Sequence, residues 1–380
     1  MRNRLVGLAG MLCLVFSLRA GAEGFPVSSD NWPGFRGNGR LDGASPRPLH
    51  VPLSLKWKFR AADQFATSPV ISGGRVFAGV SDGSVYCLAA ATGATIWKSG
   101  VGSAIEAPPL VDGSALYVST SAGTVHRLDA TTGRLRWSFP TGGRIAGSPN
   151  VHRQGAAVTV IVGSYDGSLY ALDGATGSLR WQFDTGNFIN GAPAIVGSLV
   201  VFGGCDAHLH FLSALDGREV AVVDTGSYIP GSPAISGGKV YVGNYANLFI
   251  CVEISSGKIA WSYSSDREGG AFFSSPAVGV DAVVVGCRDG RVHCLDARSG
   301  RLRWAWEAGG EVDSSPVIAG SAVLVGSGDG RLVLLSLDNG AETWTYDLGE
   351  PVHGSPALAD GMAVVASEDG ALYAFGEGAR

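Results

Sequence analysis

The chain has 380 residues, more than a single compact core usually supports, so its size calls for two domains or for a repeat. Its 57 glycines, 46% hydrophobic residues and only 16% charged residues exclude a disordered chain and fit a turn-rich all-β protein. A formal net charge of −5 argues against nucleic acid and anionic lipid as general partners.

The N-terminus reads as a signal peptide over 1–22. Arg2 and Arg4 give a basic start, Leu5 to Leu18 an apolar stretch, and Ala20-Gly21-Ala22 a small-residue cleavage site. Export to the periplasm or full secretion follows, with the mature chain starting near Glu23. Cys13 is preceded by Gly10-Met11-Leu12 rather than by the small residues that precede a lipidated cysteine, so there is no lipobox. No other stretch approaches the roughly twenty apolar residues of a transmembrane helix. Losing Arg2, Arg4 and Arg19 with the leader takes the charge from −5 to −8. Cys87, Cys205, Cys251, Cys287 and Cys294 remain, and an odd number cannot all pair within one molecule, so disulfides do not organise the fold.

Residues 23–52 show no period and read as an irregular lead-in. Trp32-Pro33-Gly34-Phe35-Arg36-Gly37 is expected to pack Trp32 and Phe35 against the main body, with a binding role as the alternative.

From Leu53 a repeat of about forty residues runs to the C-terminus. Its first marker is a small residue before proline: Ser68-Pro69, Ala107-Pro108, Ser148-Pro149, Ala192-Pro193, Ser232-Pro233, Ser275-Pro276, Ser315-Pro316 and Ser355-Pro356, eight units in all. Proline cannot donate to a sheet ladder, so each marks the start of a strand. Its second marker is a glycine followed four residues later by tryptophan, as in Gly93 to Trp97 and Gly177 to Trp181; the fourth unit breaks it with Ala221 after Gly217. Between the two, a hairpin carries Asp82-Gly83, Asp166-Gly167, Asp289-Gly290, Asp329-Gly330 or Asp369-Gly370, with Ala122-Gly123, Asp206-Ala207 and Ala246-Asn247 in the other units. Such residues tolerate the positive φ of tight turns. Four strands per unit and eight units predict an eight-bladed β-propeller of four-stranded antiparallel blades over 53–378. The last unit lacks its fourth strand, and Leu53 to Phe59, with Trp57 at the marker position, supplies it and closes the ring.

Units such as Ala171-Leu172-Asp173-Gly174-Ala175-Thr176-Gly177-Ser178-Leu179-Arg180-Trp181 resemble the repeats of propellers related to pyrroloquinoline-quinone (PQQ) dehydrogenases, over Leu53 to Phe375. In architecture the chain is similar to the eight-bladed outer-membrane-protein assembly factor BamB, and the lead-in resembles the opening of PQQ-binding-like repeat proteins. The resemblance implies that the tryptophans dock flat between blades. It also implies, for a dehydrogenase, carboxylate and amide ligands for calcium, a catalytic aspartate and flat surfaces that clamp the quinone, often a disulfide between adjacent cysteines. No adjacent Cys-Cys pair is present, and the chain is much shorter than such enzymes.

The residues themselves offer little for catalysis. Cys87, Cys251 and Cys294 share the position of Ala171 and read as small core residues, while Cys287 and Cys294 flank one turn and are expected on one face, too far apart for a disulfide. His126, His210 and His293 share one repeat position with Tyr86, Tyr170 and Tyr373, but in the second, fourth and sixth units, so a common zinc is excluded. No catalytic residue, cofactor site or metal site is therefore assigned.

Two features depart from the repeat. The residues three before each marker proline, namely Ala66, Ile105, Ala146, Asn190, Pro230, Phe273, Asp313 and His353, are expected at the mouth of the central channel, with Glu106 and Arg144 close by. The interval from Trp261 to Pro276 spans fifteen positions where the others span eleven or twelve, and it carries Asp266-Arg267-Glu268 and Phe272-Phe273. It reads either as a partner-docking loop or as an insertion whose phenylalanines fold back. Together these predict a monomeric, non-enzymatic scaffold of the cell envelope that holds a protein or peptide on one propeller face, with a PQQ-dependent oxidoreductase or cofactor binder as the alternative. Deleting residues 53–59 should lower the melting temperature and broaden the calorimetric transition; an unchanged curve would refute closure of the ring.

Overall fold

Each unit of the repeat places two nearly continuous apolar strands between a short buried inner strand and a more polar outer one. In the first, Arg75–Gly79 and Ser84–Ala89 are almost wholly buried, whereas the outer Thr95–Gly100 is mostly exposed. A strand buried on both faces needs a layer on each side, and neighbouring blades provide those layers. The computed structural model describes residues 30–267 and 269–378; the leader read over 1–22 lies outside them.

The described residues form eight blades. The first is Val70–Ser72, Arg75–Gly79, Ser84–Ala89 and Thr95–Gly100. The others begin on the inner strands Leu110–Asp112, Asn150–Gln154, Ala194–Val196, Ala234–Ser236, Ala277–Val278, Val317–Ala319 and Ala357–Ala359. The inner strand of the eighth blade adjoins that of the first. The outer strand of the eighth blade is Leu53–Arg60, paired antiparallel with Ala371–Glu377 and with Trp57 opposite Ala374, so the ring closes as the sequence predicts. The hairpin turns take positive φ where expected, at Gly83, Gly167 and Gly290 and also at the non-glycine residues Ala207 and Asn247.

Adjacent blades are tied at two radii. At the outer rim six of the seven marker indoles lie on a glycine of the next blade, and all seven donate their Nε1–H to a backbone carbonyl there. Trp57 bonds Ala90 O at 2.7 Å, Trp181 Ala214 O at 3.0 Å and Trp304 Leu337 O at 2.9 Å; Trp97, Trp137 and Trp261 do the same. Trp344 bonds Leu53 O at 3.0 Å, which carries the pattern across the closure. Only glycine fits under the ring: a Cβ on Gly177 would stand 2.6 Å from Trp137. At the inner rim the serine of one marker accepts the backbone N–H of the marker before it, in an unbroken run from Ala192 through Ser232, Ser275, Ser315 and Ser355 to Ser68 at 2.8–3.2 Å.

The inner belt also corrects one register. Val111 occupies the place of Ile71, since both bond to the lead-in, so Pro108-Pro109 rather than Ala107-Pro108 matches Ser68-Pro69. The double proline conceals this in the sequence. Ile105 is therefore a buried core residue, and Glu106 holds the mouth position of the second blade. A second correction concerns Cys287 and Cys294. Cys287 pairs with Arg291 and Cys294 with Val284, so the two thiols point to opposite faces of the blade. The hairpin loop is longer than two residues, and all five described cysteines are free.

The lead-in does more than pack. Trp32 pairs with Ile71, Pro33 O accepts from Val111 N, Gly39 O from Ile195 N, Arg40 O from Ile235 N, Asp42 O from Val278 N and Gly43 O from Ile318 N. Ala44–Ser45 then lies parallel to Val317–Ala319. The segment thus crosses one end of the channel, bonding to the inner strands of successive blades. Trp32 is buried and Phe35 half-buried, as expected. Arg36 points inward with its guanidinium on the carbonyls of Ser315, Pro276 and Pro316 at 3.1, 3.0 and 2.5 Å. Burial lowers its pKa to about 9, which leaves it charged at neutral pH. Removing one indole of the outer belt, by Trp304→Ala, should cost ~3–5 kcal/mol in a denaturant titration, and removing one hydroxyl of the inner belt, by Ser315→Ala, about 1 kcal/mol.

Candidate functional site

At the channel end where the inner strands begin, each blade repeats one backbone tie. The residue just after the second strand donates its N–H to a carbonyl of the incoming connector: Ser81 to Gln64, Ser121 to Ala104, Tyr165 to Arg144, Cys205 to Phe188, Tyr245 to Tyr228, Arg288 to Ala271, Gly328 to Glu311 and Glu368 to Pro351. These pairs, with the mouth residues two positions further along each connector, make up one face of the ring. Backbone bonds hold the geometry, so the side chains are free to vary.

They vary by sector. The first two blades present Ser81, Gln64, Ala66, Ser121 and Ala104; the last two present Glu311, Asp313, Glu368 and His353. Between them the third to sixth blades present Tyr165, Phe188, Tyr228, Tyr245 and Phe273, and three of these are large exposed aromatics: Phe188 at 50%, Tyr228 at 54% and Tyr245 at 57%. An exposed aromatic arc on a folded chain marks a contact surface.

Two matching chains of contacts frame the arc. Glu106 accepts from Arg144 Nε at 2.5 Å, the Arg144 guanidinium lies 5.2 Å over the Tyr165 ring, and Tyr165 stacks on Phe188 at 5.0 Å. On the other side Asp313 accepts a forked pair of bonds from Arg288 at 2.8 and 2.7 Å, Arg288 lies 3.5 Å over Phe273, and Phe273 meets Tyr245 edge-on at 5.7 Å. The Asp313 hydrogen bonds raise the Arg288 pKa against a smaller opposing effect of burial. Cation–π and ion-pair contacts of this kind hold rings at a fixed tilt.

Of the residues singled out in the sequence, Glu106, Arg144, Phe273 and Asp313 fall within these chains. Asn190 lies inside the arc with its Nδ2–H on Cys205 Sγ at 3.0 Å, and His353 stands 3.3 Å from Glu368 in the acidic sector. The long connector is pinned back onto the sixth blade: Asp266 pairs with Arg291, and Arg267 grips Glu307 at 2.6 Å. Glu268 lies outside the described residues. Phe272 is not a surface residue; it is fully buried among Phe249, Tyr263 and His293, because it takes the same core position as Ile105 and Ile145. Sequence reasoning missed Tyr165, Phe188, Tyr228, Tyr245 and Arg288. Their signal is positional, since each follows a second strand or sits on a connector, at places where most sister units carry small or acidic residues.

His210 and His293 are clips for the hairpin turn. His210 Nε2 lies 2.6 Å from Asp206 and His293 Nε2 lies 2.9 Å from Asp289, the same bond that Tyr170 makes to Asp166 and Tyr373 to Asp369. Cys287, Asp289 and His293 stand close enough together to suggest a metal site. The Asp289 carboxylate, however, already accepts from Ser265 at 2.6 Å and from Arg291 at 3.0 Å. A guanidinium in that position repels a cation, and burial pushes the Cys287 thiol up to about 12, away from the thiolate a metal needs.

These features define a class: an eight-bladed propeller of the quinoprotein repeat type, crossed at one channel end by its own N-terminal segment and carrying an aromatic arc at the other. The family profile for the outer membrane protein assembly factor BamB matches residues 155–226, 221–307 and 288–379, and the chain belongs to that family. The profile for the β-propeller domain of glucose/ethanol/alcohol dehydrogenases matches residues 98–190. Among solved structures, BamB from Moraxella catarrhalis is 19% identical with a TM-score of 0.74, over 85% of this chain and 99% of that one. Quinohemoprotein alcohol dehydrogenase from Comamonas testosteroni is 14% identical with a TM-score of 0.77, over 92% and 81%. A europium-containing methanol dehydrogenase is 13% identical with a TM-score of 0.76, over 92% and 98%. At such identities the likeness concerns the fold. Comparison with curated protein sequences finds no match.

The clip assignment makes a pH prediction. Burial works against charge on His210, but its hydrogen bonds to Asp206 and Glu219 outweigh that and raise its pKa above the ordinary 6.5. Its stabilisation is therefore whole below pH 6.5 and is lost as pH rises through the folded-state pKa. Burial lowers the pKa of His126, whose Nδ1 lies 2.8 Å from Ser138 Oγ, so its share is whole above pH 6.5 and falls away as pH drops toward the folded-state value. Imidazole NMR titration should place His210 above 6.5 and His126 below it; a shared midpoint would contradict the assignment.

Proposed function

We propose that the protein is a non-enzymatic scaffold of the cell envelope, exported and monomeric, which holds an extended segment of a partner protein across the mouth of the ring. The observation that carries this reading is the exposed arc of Phe188, Tyr228 and Tyr245, flanked at each end by an arginine already fixed to a carboxylate. Aromatic rings supply large contact area at small cost in side-chain entropy, and the arginine–acid pairs form a polar rim around them. Membership of the assembly-factor family supports a protein partner. Among the described residues no helix is long and apolar enough to cross a membrane.

The alternative, a PQQ-dependent oxidoreductase, implies carboxylate and amide ligands for calcium, and the three such residues singled out at the mouth do not fit that role. The Glu106 and Asp313 carboxylates are each bound by an arginine, and the Asn190 amide is turned onto Cys205. An arginine within hydrogen-bond distance of each of these two carboxylates opposes a divalent cation.

The test is cross-linking in intact cells, comparing the native chain with a variant carrying Phe188→Ser, Tyr228→Ser and Tyr245→Ser. The variant should melt within about 2 °C of the native chain, since exposed side chains contribute little to folding, and should lose at least nine-tenths of its cross-linked partner. Undiminished cross-linking would refute the reading. Addition of PQQ with calcium should leave the melting temperature unchanged; saturable stabilisation would establish the alternative.

A further inference from the structure

The seam between the fourth and fifth blades is built unlike its sisters. In six seams an indole covers a glycine of the next blade so closely that a Cβ there would lie 2.5–2.8 Å from the ring. In the fourth blade Ala221 replaces the tryptophan, and a Cβ on Gly257 would meet nothing nearer than the Ala221 methyl at 3.9 Å. The carbonyl of Ile254 stands where the sister seams place the acceptor of the indole N–H, and Ala221 has no donor to offer it. Gly257 and Ile254 are part-exposed, whereas their counterparts Gly217 and Ala214 under Trp181 are buried. An aromatic seat is present without its aromatic ring.

The strand beside this seat is also an unguarded edge. Glu219–Asp224 is the outer strand of the fourth blade, and between its two acids it carries only apolar side chains, with Val220 37% and Val222 48% exposed. The outer strands of the other blades all carry tryptophan, and most add lysine or arginine near it. Charged residues on an edge strand discourage pairing with another chain; their lack leaves the edge receptive. Asp216, Glu219 and Asp224 against Arg218 give the stretch a net negative charge. A side chain opposite Ala221 on an added strand would start about 5 Å away, within reach of the seat for an aromatic ring.

We propose that this seam is a second binding site, taking an extended segment of a partner protein that pairs with the Glu219–Asp224 edge, places one aromatic side chain on Gly257 and carries cationic residues on either side. The backbone of the added strand supplies affinity, and the vacant indole seat and acidic flank supply specificity. The site is independent of the arc at the mouth.

Two capped peptides test it, lysine-valine-tryptophan-valine-lysine and the same sequence with alanine at the centre, titrated into the full chain and followed through the methyl NMR signals of Val220 and Val222. The tryptophan peptide should bind at least tenfold more tightly than the alanine peptide. Ala221→Trp, which fills the seat from within, should raise the melting temperature and abolish that difference; Val222→Lys, which guards the edge, should weaken both peptides. The mouth variant with Phe188, Tyr228 and Tyr245 replaced by serine should bind both as the native chain does, which separates this site from the first. Absence of binding, equal binding of the two peptides, or unaltered selectivity in a folded Ala221→Trp variant would overturn the proposal. So would a concentration-dependent dimer that Val222→Lys dissolves, since it would assign the edge to a second copy of this chain. If Ala221→Trp fails to fold, the peptide comparison and Val222→Lys decide the question.

Discussion

The architecture rests on one interaction made repeatedly: a side chain of one blade donating to, or accepting from, the backbone of the next. A four-stranded sheet alone leaves both of its faces and two of its edges unsatisfied. The indole N–H of the outer belt and the serine hydroxyl of the inner belt join the sheets at two radii, so each blade is aligned by its neighbours. The two belts also complement one another. Pro108 lacks both an N–H and a hydroxyl and Ala192 lacks the hydroxyl, which interrupts the inner belt over the first four blades, where Trp97, Trp137 and Trp181 hold the outer rim. Where Ala221 interrupts the outer belt, Ala192 N and Ser232 Oγ hold the inner one at 2.8 Å. No seam goes without a tie.

This division of labour explains where function can reside. Residues that tie blades together cannot change without opening a seam, which binds the tryptophans, glycines and marker serines to structure. The connectors at the mouth are held by backbone bonds in all eight blades, and their side chains carry no such duty. Around a ring of near-equivalent positions, the third to sixth blades display aromatics and the seventh and eighth display acids. The asymmetry gives the face an orientation that the symmetric backbone lacks. The lead-in adds polarity along the axis: it crosses the opposite end, with Arg36 buried on the carbonyls of the sixth and seventh blades.

Several readings from the chain hold in the structure for local reasons. Asp-Gly and its substitutes turn hairpins because the positive φ there is a property of the residues themselves. Prolines mark strand starts because they cannot donate to a ladder. Readings that depended on counting failed where the count was ambiguous. Ala107-Pro108-Pro109 offers two registers, and only the bond between Val111 and the lead-in chooses one, which moves Ile105 into the core and Glu106 to the mouth. Phe272 and Phe273 look like one exposed aromatic pair, but alternation along the connector buries the first and leaves the second beneath Arg288.

The sequence by itself determined the number of blades, the four strands in each and the closing role of Leu53 to Phe59, because these follow from periodicity and from the conformational limits of proline and glycine; the docking of the tryptophans came from the family resemblance. Only the tertiary structure decided which departures from the repeat meet in space. Tyr165, Phe188, Tyr228 and Tyr245 are far apart in the chain and belong to different units, and nothing in their spacing announces an arc. Ring closure brings equivalent positions of successive blades side by side, so a surface that the chain spreads over more than a hundred residues is assembled only when the propeller is formed. The same holds for Ala221: in the chain it is one missing tryptophan, and in the ring it is an open seat beside an unguarded strand.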